Sequence, residues 1–275
     1  MEQKIQISKF PAISKTALLP LYCRAIDYQA KNSILKDKFS YDLYNRIEFD
    51  WNIIKKTVRS FDPILMGIRV RKFDQMCRQF IEKHPNGIIV SLGSGIDYRF
   101  GRIDNNRCYF VDLDFPEVLE FRKLITPIST RNILIGQSVL NYSWINQILE
   151  LSMEHRAQIF FIAEGLMVYL EIPEMQELLK NIGQAFPQAE IFFDMFSERA
   201  KKLAESKLMF KDLNVKIKSA LNSGKLMEKW GIGFKVLSEW YFSDDSDAKR
   251  SWMKLIWVIP AVRKLQYFIH GKFEK

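Results

Sequence analysis

Apolar positions in this chain change their period near residue 86. Before it, Leu18, Leu19, Tyr22 and Ile26, and later Ile53, Ile54 and Val58, recur at helical spacing with little strand-like alternation, so Ala12 to about Gln79 reads as helical. After it come short apolar runs rich in β-branched and aromatic residues: Ile88 to Leu92, Cys108 to Val111 or Leu113, Asn132 to Gly136, Gln158 to Ala163 and Ala189 to Asp194. Helical stretches separate them, one opened by Pro116 in its first turn and one from Ile172 to roughly Ala185 with Leu178, Leu179 and Ile182 on its apolar face. Strands alternating with helices predict an α/β fold with a mostly parallel sheet and helices on both faces. Gln158 to Ala163, the most apolar run, is expected at its centre. Residues 1–85 then form a helical cap within the same domain, and 86–275 form the core. A lysine-rich, helical stretch at about 197–231, carrying Met209, Phe210, Leu213, Val215, Leu226, Met227 and Trp230, occupies the position of a lid insertion. From Trp252 to Phe273 the chain is apolar and basic, which predicts a helix and a last strand packed on the core.

Composition narrows the functional classes. At 275 residues, 48% of them apolar, the chain suits one globular α/β domain with an added cap. The net charge of +9 raises nucleic acid, an anionic membrane or acidic small substrates as partners. The cations are dispersed, however: Lys31, Lys36, Lys38, Lys55, Lys56, Lys201, Lys202 and Lys207 interleave with acids, and no aromatic-basic signature accompanies them, so no nucleic-acid partner is expected. The apolar part of the C-terminal segment is too short to span a bilayer, which argues against stable membrane insertion and leaves surface association as the alternative. Cys23, Cys77 and Cys108 are odd in number and far apart, and His84, His155 and His270 are equally scattered. This pattern predicts a reducing, cytoplasmic setting and no metal site. Nothing in the sequence sets the oligomeric state.

The candidate chemistry sits at the strand ends. Gly93 and Gly95 follow the first core strand and let the backbone turn tightly beneath a ligand. The second strand ends in Asp112 and Asp114, at the distance where a nucleotide-binding βαβ unit places a carboxylate on ribose hydroxyls. A dinucleotide site would need a third glycine where Tyr98 stands, so pyrophosphate is disfavoured. Asp97 would repel phosphate but attract a cationic ligand group. S-adenosylmethionine meets these conditions: adenosine, no phosphate, an amino group and a sulfonium. Glu164 closes the most apolar strand, at the end of the sheet where open α/β folds bind ligands.

Three blocks carry a family resemblance: Ser91 through Phe100, Val111 through Val118, and Ile162 through Leu170. In order and spacing they resemble the signature blocks of the leucine carboxyl methyltransferase family, which includes the enzyme methylating the C-terminal leucine of a protein phosphatase and bacterial O-methyltransferases of polyketide synthesis. The likeness covers roughly residues 12 to 200. It implies a Rossmann-like S-adenosylmethionine-dependent methyltransferase fold, with Lys15 and Arg69 reaching the cofactor's carboxylate. It favours Asp114 over Asp112 for the ribose, places Ser138 and Val139 at the adenine, and gives Glu164 the amino group. Ser138 stands where many members carry Asp. Gly165 to Tyr169 would line the boundary with substrate, with Met167 and Tyr169 either touching substrate or filling core. The reaction implied is methyl transfer to an oxygen, a carboxylate above all, leaving S-adenosylhomocysteine and a methyl ester. A carboxylate is ionised at neutral pH and needs no general base, which agrees with the lack of a convincing catalytic His or Cys. The acceptor would be a small or carrier-bound carboxylic acid. A phenol or alcohol acceptor needing a base, for which Tyr169 and Asp194 are the weak candidates, and a non-enzymatic basic scaffold are the rival readings.

Overall fold

The first strand of the chain is only two residues long. In the computed structural model, which describes residues 4–7, 10, 12–206, 212–249 and 253–274, β1 (Ile5–Gln6) is followed by helices α1 (Ala12–Lys15), α2 (Leu18–Gln29) and α3 (Lys38–Arg46). Then comes β2 (Ile47–Glu48), which pairs in parallel with β1, a small sheet that helical periodicity alone does not foresee. Helix α3 starts where the Asp37 carboxylate accepts the Ser40 N–H at 3.0 Å. After α4 (Asn52–Lys55) the long helix α5 (Asp62–Lys83) begins with Pro63 in its first turn, where a missing N–H costs nothing.

The core strands follow: β3 (Ile88–Leu92), β4 (Tyr109–Asp114), β5 (Asn132–Gly136), β6 (Ile159–Ala163) and β7 (Glu190–Phe196). Between them lie α6 (Phe100–Ile103), α7 (Pro116–Ile125), α8 (Trp144–His155) and α9 (Ile172–Ala185). Strands β8 (Phe234–Tyr241) and β9 (Gln266–Phe273) complete the sheet. Its order is β5-β4-β3-β6-β7-β9-β8, with β3 to β7 parallel and β9 antiparallel to both its neighbours. The expected α/β architecture is therefore present, with β3 and β6 central.

Successive residues of these strands face opposite sides, and both sides are covered. Ile89, Phe160, Phe192 and Phe268 meet Ile68, Phe73, Cys77 and Ile81 of α5. Val90, Phe161 and Phe193 meet Trp144 and Ile148 of α8 and Leu178, Leu179 and Ile182 of α9. Helix α5, within the cap by sequence, is thus also one layer of the core. Replacing the wholly buried Phe73 with Ala would cost about 3–5 kcal/mol. The remainder of the cap, through Leu18, Leu21, Tyr22, Leu43 and Ile54, rests on Ile96 of the loop after β3 and on Val118 and Phe121 of α7.

Two expectations need correction. The stretch at 197–231 is helical in α10 (Glu198–Glu205) and in 3-10 turns over Gly224–Trp230, but 215–223 runs without regular structure; Met209 and Phe210 lie outside the described residues. The C-terminal segment has two short helical turns, Met253–Ile256 and Pro260–Arg263, before β9, while Trp252 lies outside the described residues. Leu255, Val258 and Ile259 there are exposed at 66%, 77% and 52%, so before β9 this part touches the core mainly through Trp257, which stacks on Phe242 and donates its Nε1 hydrogen to the Ala248 carbonyl at 2.7 Å. Among the described residues no helix is long and apolar enough to cross a membrane.

Candidate functional site

The chain runs outward from β3 through β4 to β5, then returns to place β6 on the other side of β3. At that switch a crevice opens beyond the carboxyl ends of the strands, the place where open α/β sheets hold ligands. A cavity of about 300 Å³ occupies it, bounded by Ser91 on β3 and Gly93–Asp97 after it, Asp114 at the end of β4 and Phe115 beyond it, Glu164–Leu166 after β6 and Asp194 on β7. Ser14, Thr16, Ala17, Leu19 and Pro20 of the cap and Leu65, Met66 and Arg69 of α5 form its roof.

Gly93 and Gly95 have φ of +63° and +58°, a left-handed backbone in which a side chain is strained. The turn they make is tied to β4, since the Gly93 and Ser94 N–H groups both donate to the Leu113 carbonyl at 2.8 and 3.2 Å. Asp114 anchors the same loop from the other side: its Oδ2 accepts the Gly95 N–H and its Oδ1 the Phe115 N–H, each at 2.7 Å. Burial pushes its pKa up, against the opposing pull of those two N–H groups. Asp112 is away from the cavity, buried against Arg122 Nη2 at 2.9 Å and Asn132 Nδ2 at 2.8 Å. Of the two acids, Asp114 is the one on the wall. Ser94 Oγ, in the glycine loop, is buried without a hydrogen-bond partner.

At the opposite end Glu164 lies between two guanidinium groups. Arg69 Nε stands 2.9 Å from its Oε1, and Arg99 Nη2 donates to its Oε2. The Arg69 contact is close without hydrogen-bond alignment, so Arg69 Nε remains unsatisfied. Asp194 supports the pair from beneath. Its Oδ1 accepts the Gly165 N–H at 2.6 Å, its Oδ2 accepts Gln266 Nε2 at 2.7 Å, and Oδ2 is 3.7 Å from Arg69 Nε. Burial works against the Arg69 charge, but Asp194 and Glu164 outweigh it and raise its pKa.

Asp97 is on the wall, but its charge is already matched. Arg102 donates to both its oxygens at 2.8 Å, Arg99 Nη2 lies at 3.4 Å and Arg24 Nη1 at 3.8 Å. Burial alone would raise its pKa; the three guanidinium groups, Arg102 foremost, hold it well below the usual carboxylate range. The negative charge expected to attract a cationic ligand group is thus met by these arginines of the chain itself.

Four expected site residues do not reach the wall. Lys15 ends α1 between Ser14 and Thr16, and it is those two neighbours that line the cavity. Ser138 Oγ accepts the Leu140 N–H at 3.2 Å in the turn after β5, and Val139 is core, its carbonyl accepting Trp144 Nε1 at 3.1 Å. Met167 is fully buried in the same core, so of its two expected roles it has the structural one. Tyr169 does line the cavity, hydrogen-bonded to the Thr16 side chain, and burial raises its pKa. The sequence reading missed Arg24, Arg99 and Gln266 and gave Asp194 only a base's part. The Asp97-Arg99-Arg102 spacing was the available signal, because residues two and five places beyond an acid in a tight turn can fold back onto it.

This geometry defines a ligand-binding Rossmann-like fold of the methyltransferase kind. Residues 17–183, more than half of the 275, match the family described as leucine carboxyl methyltransferase. The chain belongs to that family and is an S-adenosylmethionine-dependent methyltransferase. It is 23% identical over 237 residues, 86% of this chain and 85% of the other, to the tetracenomycin polyketide synthesis O-methyltransferase TcmP of Streptomyces glaucescens. It is 26% identical over 196 residues, covering 66% and 65%, to the S-adenosyl-L-methionine-dependent methyltransferase dpfgK of Gibberella zeae. Two solved structures share the fold: a Thermobifida fusca protein provisionally named a methyltransferase (TM-score 0.58, 12% identity, covering 98% and 97%) and a DUF574 family protein of Streptomyces avermitilis (0.60, 10%, 92% and 97%).

Proposed function

We propose that this enzyme methylates an oxygen atom, and that the acceptor is the carboxylate of a small or carrier-bound organic acid, with a methyl ester and S-adenosylhomocysteine as products. The family and the Streptomyces relative, named an O-methyltransferase, support oxygen. The cavity suits the cofactor at both ends. On one side, the left-handed glycines keep the floor clear of side chains, Asp114 offers its remaining lone pairs to ribose hydroxyls, and Ser94 Oγ is buried with a hydrogen bond still to make. On the other, Arg69 can take a carboxylate in bidentate fashion and Glu164 an ammonium group. When bound, S-adenosylmethionine supplies an electrophilic methyl group on a cationic sulfur.

The observation that favours a carboxylate acceptor is the lack of a side chain free to remove a proton. Among the described residues of the wall there is no histidine and no cysteine. Tyr169 is held protonated by burial and tied to Thr16. Both Asp194 oxygens and both Asp114 oxygens already accept N–H groups, Asp62 Oδ2 accepts the Arg59 N–H at 2.9 Å, and Asp97 and Glu164 are paired with arginines. A phenol or alcohol would have to lose a proton to one of these; a carboxylic acid, with a pKa near 4, arrives ionised. The protein's contribution is then orientation and enclosure, with Leu19, Leu65, Met66, Leu166, Phe196 and Phe242 as apolar wall. The test is incubation with methyl-tritiated cofactor and an extract of small acids and acyl carriers, followed by mild alkali. Release of the label as volatile methanol is expected; a label that survives alkali would overturn the carboxylate acceptor.

A further inference from the structure

We infer that Arg99 is a positioning residue for the cofactor's amino-acid end: it fixes the Glu164 carboxylate so that one oxygen is presented to the cavity, with Asp97 and Asp74 acting through Arg99. The inference rests on the functional reading above. Arg99 is 4% exposed and held from three sides. Its Nε donates to Asp74 Oδ1 at 2.7 Å, Nη2 lies 3.4 Å from Asp97 Oδ2, and the guanidinium carbon sits 5.4 Å from the centre of the Phe73 ring. Asp74 is itself shared, its Oδ2 accepting Arg102 Nε at 2.7 Å, and Arg102 grips Asp97 through both nitrogens. Two acids and two arginines thus close a ring around the start of α6.

From within this ring Arg99 Nη2 reaches Glu164 and donates to its Oε2. Arg69, on the other side of Glu164, is the opposite case. Its Nε contacts Oε1 without hydrogen-bond alignment, and it lines the cavity, so it can turn to a ligand carboxylate. When it does, Oε1 is freed for the ligand's ammonium group, while Arg99 keeps Oε2 and holds the carboxylate in place. Arg69 and Asp74 both belong to α5, so one helix carries the movable partner and the clamp of the fixed one.

The test compares two ligands. S-adenosylhomocysteine carries the amino-acid end; 5′-methylthioadenosine carries the same adenosine and thioether but lacks it. In Arg99→Met the dissociation constant for S-adenosylhomocysteine should rise about ten- to a hundredfold by calorimetry, as expected for a lost charge-assisted hydrogen bond, with methylthioadenosine changed less than twofold. Arg99→Lys, which keeps the charge but cannot reach Asp74 and Glu164 together, should fall between, and serves if Arg99→Met does not fold. In steady state the KM for S-adenosylmethionine should rise with little change in kcat. Equal weakening of both ligands, or unchanged binding of both, in the folded variant overturns the positioning role. Failure of the wild-type protein to bind S-adenosylhomocysteine would instead overturn the functional reading beneath it.

Discussion

Gly165 gives the sharpest test of how the cavity is built. It has φ of +67°, and a Cβ placed on it would fall 2.6 Å from Arg69 Nη2. In Gly165→Ala the guanidinium must withdraw by at least 0.8 Å to regain ordinary contact at 3.4 Å. It starts 2.9 Å from Glu164 and 3.7 Å from Asp194, so that withdrawal disturbs its ion pairs and its aim into the cavity. The backbone strain costs about 1–2 kcal/mol of stability. Loss of one charged hydrogen bond to the ligand costs about 1.5–3 kcal/mol, or roughly ten- to a hundredfold in affinity. Gly231→Ala is the matching control: its φ is +68°, but the added methyl would meet nothing within 4 Å, and Gly231 does not line the cavity. Gly165→Ala should lose at least as much stability as Gly231→Ala in thermal melts, since it adds the displaced ion pairs to the backbone strain, and only Gly165→Ala should lose affinity for S-adenosylhomocysteine by calorimetry. If the two bind within threefold of each other, the role assigned to Arg69 is wrong.

Asp114→Asn retains shape but offers one acceptor oxygen to the Gly95 and Phe115 N–H groups, which now use two. Affinity for S-adenosylhomocysteine should drop tenfold or more and stability by about 1–3 kcal/mol, measured by calorimetry and urea titration. Unchanged affinity would remove Asp114 from the site. Asp97 tests the arginine ring through pH: its folded pKa is depressed, so its stabilising contribution is complete above the ordinary carboxylate pKa of about 4 and is lost as pH falls through the folded value. Asp97→Asn should be less stable than wild type at pH 7, by about 3–5 kcal/mol for uncompensated buried arginines, with the gap narrowing on acidification below about pH 4. Parallel stability curves across that range would refute the assignment.

Strands β3 to β6 were legible because each is a short apolar run ended by glycine or an acid, whereas β7 runs two residues past Asp194, where the pattern ended it, to Phe196. The observed β5 and α9 begin and end at the residues the pattern gave. Strand β8 was not legible. Phe234 and Val236 are buried with Lys235 exposed between them, but the register shifts between Val236 and Ser238, and the alternation dissolves after three residues. At the site, Gly93, Gly95, Asp114 and Glu164 could be read because the end of a strand fixes where they point. Asp97 could not, since its fate is decided by Arg24 on a distant helix and by a turn that folds Arg102 back over it. Ser138 and Val139 do not line the cavity for a similar reason: they follow β5 at the sheet's edge, where the chain turns to bury Trp144.

The position of β9 bears on how the chain can be made. It lies between β7 and β8, pairing Phe196 with Gln266, so the two strands in contact are far apart in synthesis. Until β9 has left the ribosome, the nascent sheet ends at β7, an apolar strand with unsatisfied backbone groups along one side and a ready template for another chain. Gln266, which steadies Asp194 beneath Arg69, arrives on that same strand. Protection from aggregation and completion of the ligand pocket are therefore reached in a single event, and a chaperone that shields β7 in the interval would be guarding both.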